Sequence, residues 1–205
     1  MGTRRGVLQR NGIAFSNLYV GLVHYPVCDS EGRVICSAVT NLDIHDTGRC
    51  ASTFAIPTAY IINPLDSQRE LVQRIIVHWT KGAGARRNPC RKKALERVRM
   101  KATLPDAIRE ITDRHHRPVM TVATDARWRD GMISFSMMRR LLRNRQQPFL
   151  LLFGTAWGLA REVLDQSDHV LAPIAGVIDY NHLSVRSAMA IVLDRLTGNR
   201  YTGGS

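Results

Sequence analysis

Short unbroken apolar runs alternate along this chain with longer segments in which apolar residues recur every three or four positions. The first rhythm predicts buried strands and the second amphipathic helices. Strands are expected at Leu18 to Tyr25, Ala59 to Ile62, Arg97 to Ala102 (an edge strand), Pro118 to Ala123, in the run Phe149-Leu150-Leu151-Leu152-Phe153, and at His169 to Ile174. Arg33 to Val39 adds a short extended piece. Helices are expected at Ile44 to Phe54, Ser67 to Trp79, up to Arg114 from a start at Thr103 and Pro105, Phe135 to Asn144, Ala160 to Asp165, and Ser184 to Leu196. Thr103 and Ser134 are natural helix caps, and Pro105 suits a first helical turn. Strand and helix alternate throughout, which is the pattern of an α/β fold with a parallel sheet flanked by helices.

Glycine spacing narrows the ligand. The fifth long strand ends at Gly154, and Gly158 follows with the spacing Gly-x-x-x-Gly. A strand that stops at a glycine turn and opens a helix builds a crevice at the carboxyl edge of a parallel sheet. The dinucleotide pattern Gly-x-Gly-x-x-Gly is absent from this turn, which argues against a Rossmann dinucleotide site. An ordinary strand-to-helix turn explains the glycines equally well.

Charge then points to a partner. The 205 residues carry 29 Lys and Arg against 17 Asp and Glu, a formal charge of +12 with 44% hydrophobic content. That balance suits a packed core and a polyanion, with RNA ahead of an anionic membrane because no basic helix with an aromatic face stands out. The densest positive stretch is Lys81 to Lys101, where Glu96 is the only acid. Its first part, Lys81 to Pro89, reads as a flexible glycine-containing loop. Arg86, Arg87, Arg91, Lys92 and Lys93 are the candidate phosphate contacts, since guanidinium groups pair with phosphates bidentately. A solvated charged face is the plainer alternative. The segment Met1 to Ser16 reads as a basic arm, residues 17–201 as one domain and 202–205 as a tail. Cys28, Cys36, Cys50 and Cys90 form no C-x-x-C pair and read as reduced thiols of a cytoplasmic protein. No run is long enough to span a bilayer, and no metal-ligand spacing is visible.

Two segments carry a family resemblance. Leu152-Phe153-Gly154-Thr155-Ala156-Trp157-Gly158-Leu159 resembles the second motif of the SPOUT RNA methyltransferases. Ala172-Pro173-Ile174-Ala175-Gly176 through Asn181-His182-Leu183-Ser184-Val185-Arg186-Ser187-Ala188 resembles the third. A small bacterial SPOUT-like RNA methyltransferase family matches from about Leu18 to Tyr201. The resemblance implies a C-terminal deep trefoil knot holding S-adenosylmethionine, a homodimer whose active site the second subunit completes, and an RNA substrate (tRNA or rRNA). Small residues Ser187, Ala188 and Ala190 would let the last helix pass closely by other backbone. The resemblance further implies donor contacts at Ala123, Thr124, Leu152, Phe153, Gly154, Gly158, Leu171, Ile174, His182, Leu183, Ser184 and Ala188. Asn41 and Arg49 match, in type and order, an Asn and an Arg that ribose-modifying members carry on the first helix, with Arg49 expected near the donor's methyl end. Asp179 and His182 in the third loop are candidates for proton removal. Thr155-Ala156-Trp157 stands where many members carry a glutamate, so no carboxylate role transfers there. Two other readings stay open: a non-catalytic RNA-binding module on this scaffold, and a nucleotide-binding α/β domain of another kind.

Overall fold

The computed structural model describes residues 15–178 and 180–198. Six strands form one parallel sheet: β1 (Leu18–Val23), β4 (Ala59–Ile62), β5 (Val98–Lys101), β6 (Met120–Thr124), β7 (Phe149–Gly154) and β8 (His169–Leu171). Their order across the sheet is β5-β4-β1-β7-β6-β8, and every pairing is parallel. Two short strands, β2 (Val27–Cys28) and β3 (Val34–Ile35), pair antiparallel beside it. The chain therefore builds outward from β1 in one direction through β4 to β5, then fills the other side with β6, β7 and β8. β1 and β7 meet at the reversal, where open α/β sheets present a crevice at their carboxyl ends.

Among the described residues eight helices cover the sheet: α1 (Asn41–Thr53), α2 (Asp66–Thr80), α3 (Ala83–Arg87), α4 (Pro89–Leu95), α5 (Leu104–His115), α6 (Phe135–Leu141), α7 (Arg161–Gln166) and α8 (Val185–Thr197). Alternation along the strands sorts them into two layers. Leu18, Val20 and Leu22 of β1 join Val122, Phe149, Leu151 and Phe153 beneath α1, α6 and α8. Ile61 and Val98 extend that layer beneath α2 and α4. Tyr19, Val23, Tyr60, Leu150 and Leu152 face the opposite side, against Ala107 and Ile111 of α5 and Val163 and Leu164 of α7. Each such aliphatic side chain, fully withdrawn from water, contributes about 1.5–3 kcal/mol.

Local chemistry sets the helix starts. Thr40 and Thr103 each form a reciprocal capping box, with Asp43 and Asp106 respectively. Ser134 and Ser184 cap α6 and α8 through their hydroxyls. α1 thus begins at Asn41, three residues before the expected Ile44, because the cap is Thr40. β1 stops at Val23, short of Tyr25, and β8 stops at Leu171. Pro173 just beyond β8 has no N–H to continue a ladder.

Two expectations change. The stretch Lys81 to Pro89 is no loop: it is α3 and the start of α4, with Asn88 capping the second through its side chain. Its glycine serves close packing, since a Cβ at Gly84 would lie 2.6 Å from the Trp79 ring. Phe15, read as part of the basic arm, is buried in the main core. Asn17 fastens this end, donating through its side-chain amide to the carbonyls of Asn144 and Gln147 at 3.0 and 2.7 Å. The arm before Phe15, and the tail, lie outside the described residues. Among the described residues no helix is long and apolar enough to cross a membrane, and no two cysteines are bonded.

Candidate functional site

Three parallel strand ends converge on an apolar cavity. Thr124 ends β6, Phe153 lies near the end of β7 and Leu171 ends β8; all three line it. Ala172, Pro173 and Ile174 of the following loop form one wall, and Asn181, Leu183, Ala188 and Val192 another. Asp125 and Ala126 complete it. The cavity measures about 70 Å³.

Hydrogen bonds hold the walls in place. Thr124 donates its hydroxyl to the Leu152 carbonyl at 2.9 Å, locking the end of β6 onto β7. Asn181 donates its side-chain amide to the Ala126 carbonyl at 2.7 Å, tying the loop before α8 to the loop after β6. The Asp125 carboxylate is engaged by the Arg129 guanidinium at 2.8 Å and the Arg127 backbone N–H at 3.1 Å. Ala172 donates to the Ile133 carbonyl, so the wall after β8 starts as a continuation of the sheet.

The turn after β7 closes tightly. A Cβ on Gly154 would collide with the Leu159 backbone, so the loop can fold back over its own strand only with glycine there. Gly158 holds φ +107°. Thr155 then takes a structural position: its hydroxyl meets the Ser37 hydroxyl at 2.5 Å and the Val23 carbonyl at 3.1 Å. Ser37 in turn lies 3.0 Å from Nδ1 of His24. This buried chain fixes the second-motif loop to the end of β1. Burial holds the His24 imidazole below its ordinary pKa, with the nearby Asp43 carboxylate opposing the effect.

α1 and α8 are joined by charge. Arg186 of α8 donates to Asp43 Oδ1 at 2.9 Å and lies 3.3 Å from Asp46. Asp43 Oδ2 accepts from the Thr40 N–H and hydroxyl. The same carboxylate that caps α1 therefore anchors the helix that walls the cavity.

The expected donor contacts divide into two groups. Thr124, Phe153, Leu171, Ile174, Leu183 and Ala188 line the cavity. Ala123 and Leu152 are buried in the opposite core layer, Gly154 and Gly158 shape the turn, and Ser184 caps α8. His182 is exposed and stands edge-on to the Trp157 and Tyr180 rings at 6.0 and 5.2 Å. Asp179 lies outside the described residues. Ala172, Pro173 and Asn181 are cavity residues within the third-motif segment, and Asp125 adjoins the expected contact Thr124; pattern reading missed Ala126 and Val192.

Arg49 and Asn41 are placed elsewhere. Asn41 is exposed at the first turn of α1. Arg49 lies eight residues on, about 12 Å along the helix axis at 1.5 Å per residue. It lines a separate cavity of about 280 Å³ with Ser52, Thr53, Asn88, Cys90, Arg91 and Ala94. α1 and α4 approach closely enough to form it because a Cβ at Gly48 would already touch the Ala94 carbonyl at 3.0 Å. Of the candidate phosphate contacts, Arg86, Arg87 and Lys93 are exposed. Lys92 lies 3.8 Å from Glu96, and the Arg91 guanidinium stacks 4.3 Å above the Trp79 ring.

Comparison with known proteins matches this architecture. A tRNA (guanine-N(1)-)-methyltransferase of Oleidesulfovibrio alaskensis is 46% identical over 183 residues, covering 89% of this chain. The chain spans 42% of that relative's length. Among solved structures, a protein of Neisseria gonorrhoeae assigned to a methylase family superposes with a TM-score of 0.61 at 18% identity, over 89% of this chain and 82% of that one. The SpoU methyltransferase AviRb of Streptomyces viridochromogenes, in complex with AdoMet, gives a TM-score of 0.50 at 16% identity, over 92% and 60%. These two likenesses carry the fold. Residues 17–198 match the family model described as SAM-dependent RNA methyltransferase, and the chain belongs to that family.

Proposed function

We propose that this chain transfers the methyl group of S-adenosylmethionine to RNA, with the donor held at the cavity between the ends of β6, β7 and β8. The observation that carries this reading is the cavity itself: an apolar slot at the carboxyl edge of a parallel sheet, in a member of a donor-dependent family. Its chemistry suits an adenosine. Leu171, Ile174, Leu183 and Val192 offer aliphatic surface to a purine ring, and Asn181 offers an amide at the rim. The Asn181–Ala126 hydrogen bond ties one wall, the loop before α8, to the loop after β6.

Bound S-adenosylmethionine supplies an already activated methyl group, so the protein's work is alignment and exclusion of water. Phe153 and Leu171 exclude water from the slot, and the Arg186–Asp43 pair holds α8 against α1 so that its wall stays in place. Trp157 and His182 stand on the second- and third-motif loops, with Asp179 in the third. A deep knot formed by these segments, and a homodimer, complete the reading. In one subunit Arg49 lines its own cavity, so its approach to the methyl group requires an RNA or a second subunit to bring the two cavities to one substrate. The relative from Oleidesulfovibrio alaskensis suggests tRNA as the first substrate to assay.

Calorimetry with S-adenosylmethionine tests the donor site. Saturable binding that is lost in Ala188→Phe, with the fold intact, is the expected result. Absence of heat and of any thermal shift at millimolar donor would exclude the site. Light scattering at micromolar concentration tests the dimer; a mass near 23 kDa would reject it.

A further inference from the structure

Arg49 and Arg91 come from helices far apart in sequence, yet they line one cavity. Among the described residues, neither guanidinium has a carboxylate within ion-pair distance. Asp46, three residues before Arg49 on α1, lies 3.3 Å from the Arg186 guanidinium. Arg91 Nε is buried without a hydrogen-bond partner, and so is His45 Nδ1 beside it. Such groups cost free energy unless something satisfies them. The Trp79 ring holds Arg91 from one side at 4.3 Å, so its guanidinium is pre-positioned. Burial lowers the His45 pKa, and the nearby charges of Arg91 and then Arg49 act in the same direction, with Asp46 opposing them. Ser52, Thr53 and Asn88 add neutral polar side chains around the same space.

We infer that Arg49 and Arg91 form one oxyanion site between α1 and α4, and that its ligand is a single backbone phosphate of the bound RNA. This rests on the RNA reading above. It differs from a diffuse basic face in one respect: the two arginines share a phosphate and do not hold two. Counterion release counts phosphates, so the slope of log K against log salt changes by about 0.9 for each duplex phosphate no longer neutralised and about 0.7 for a single-stranded one.

The test measures tRNA binding across a salt series for the wild-type chain, Arg49→Gln, Arg91→Gln and the double variant. A shared phosphate predicts a slope change well below 0.7 in each single variant and about 0.7–0.9 in the double. Additive single changes of about 0.7–0.9 each would mean two separate phosphates and overturn the proposal. An unchanged slope in the double variant, with wild-type RNA binding intact, would overturn it as well. Arg91→Lys guards against misfolding, since it keeps the cation; near-wild-type slope with weakened affinity is the expected result. Titration with inorganic phosphate separates the sources. Millimolar phosphate that binds the wild-type chain and not the double variant, while RNA binding stays unaltered in both, would assign the site to a free anion and overturn the RNA ligand. Failure of the wild-type chain to bind any RNA would instead strike the proposed function itself.

Discussion

The two cavities of this fold make opposite demands on the residues around them. The one at the ends of β6, β7 and β8 is walled by Phe153, Leu171, Ile174, Leu183 and Val192, and its nearby charged group, Asp125, is already neutralised by Arg129. The one between α1 and α4 is walled by two guanidinium groups that, among the described residues, no carboxylate neutralises. The first cavity offers apolar surface that excludes water, and the second offers positive charge to an anion. On the function proposed above, separating them would let one chain hold the donor and a polyanion without mixing their solvation requirements. The Arg186–Asp43 pair connects the two, because α1 carries Arg49 and α8 carries Ala188.

The largest effect is expected on the charged side. Replacing Arg86, Arg87, Arg91, Lys92 and Lys93 by Gln should lower the salt slope of RNA binding by about 2–4, at 0.7–0.9 per phosphate released, and leave donor affinity unchanged. Filter binding between low and moderate salt checks the first, calorimetry the second. Loss of donor binding in the same variant would show that the two sites are not separate.

On the apolar side, Ala188→Phe should weaken donor binding by about 10- to 100-fold, the scale of overpacking a filled site, with RNA affinity retained. Equal loss of both ligands would indicate unfolding. The connection between the sites should show in stability: Arg186→Met leaves the largely buried Asp43 carboxylate with only its Thr40 partners. A loss of about 2 kcal/mol in urea melts is expected, below the full scale for a buried pair because Arg186 is partly exposed. No change in the melts would mean that α8 is held by its apolar face alone.

The smallest effect is on pH. Burial lowers the pKa of His24, His45 and His115 from their ordinary 6.5. The folded state therefore binds fewer protons than the unfolded state, and stability is fully present above pH 6.5 and declines as pH falls through the lowered values. Thermal melts should move down modestly between pH 7.5 and 5.5. His24→Asn should flatten that dependence, and an upward shift on acidification would contradict the assignment.

Much of the fold was legible. Apolar runs located β1, β4 and β7, and the capping residues Thr103 and Ser134 located two helix starts; the last helix, expected from Ser184, begins one residue later at Val185. Lys81 to Pro89 misled because Gly82, Gly84 and Pro89 look like loop punctuation. Gly84 is there so that α3 can lie against His78 and Trp79, a tertiary reason that no local pattern carries. Half of the expected donor contacts line the cavity. Ala123 and Leu152 share the same strand ends but point into the opposite core layer, since neighbouring residues of a strand face opposite ways: Phe153 lines the slot and Leu152 does not. The Arg49–Arg91 cavity was illegible, because it depends on Gly48 meeting Ala94 across two helices.

Methyl transfer from S-adenosylmethionine to RNA leaves a mark on the RNA that can be weighed. Incubating the chain with methyl-deuterated donor and separate tRNA and rRNA fractions, then digesting to nucleosides for mass spectrometry, tests it directly. One deuterated methyl nucleoside is expected from the wild-type chain, and at limiting donor about 10- to 100-fold less of it from Ala188→Phe. Saturable donor binding with no label transferred to any fraction would contradict it, and would leave an RNA-binding module on a methyltransferase scaffold.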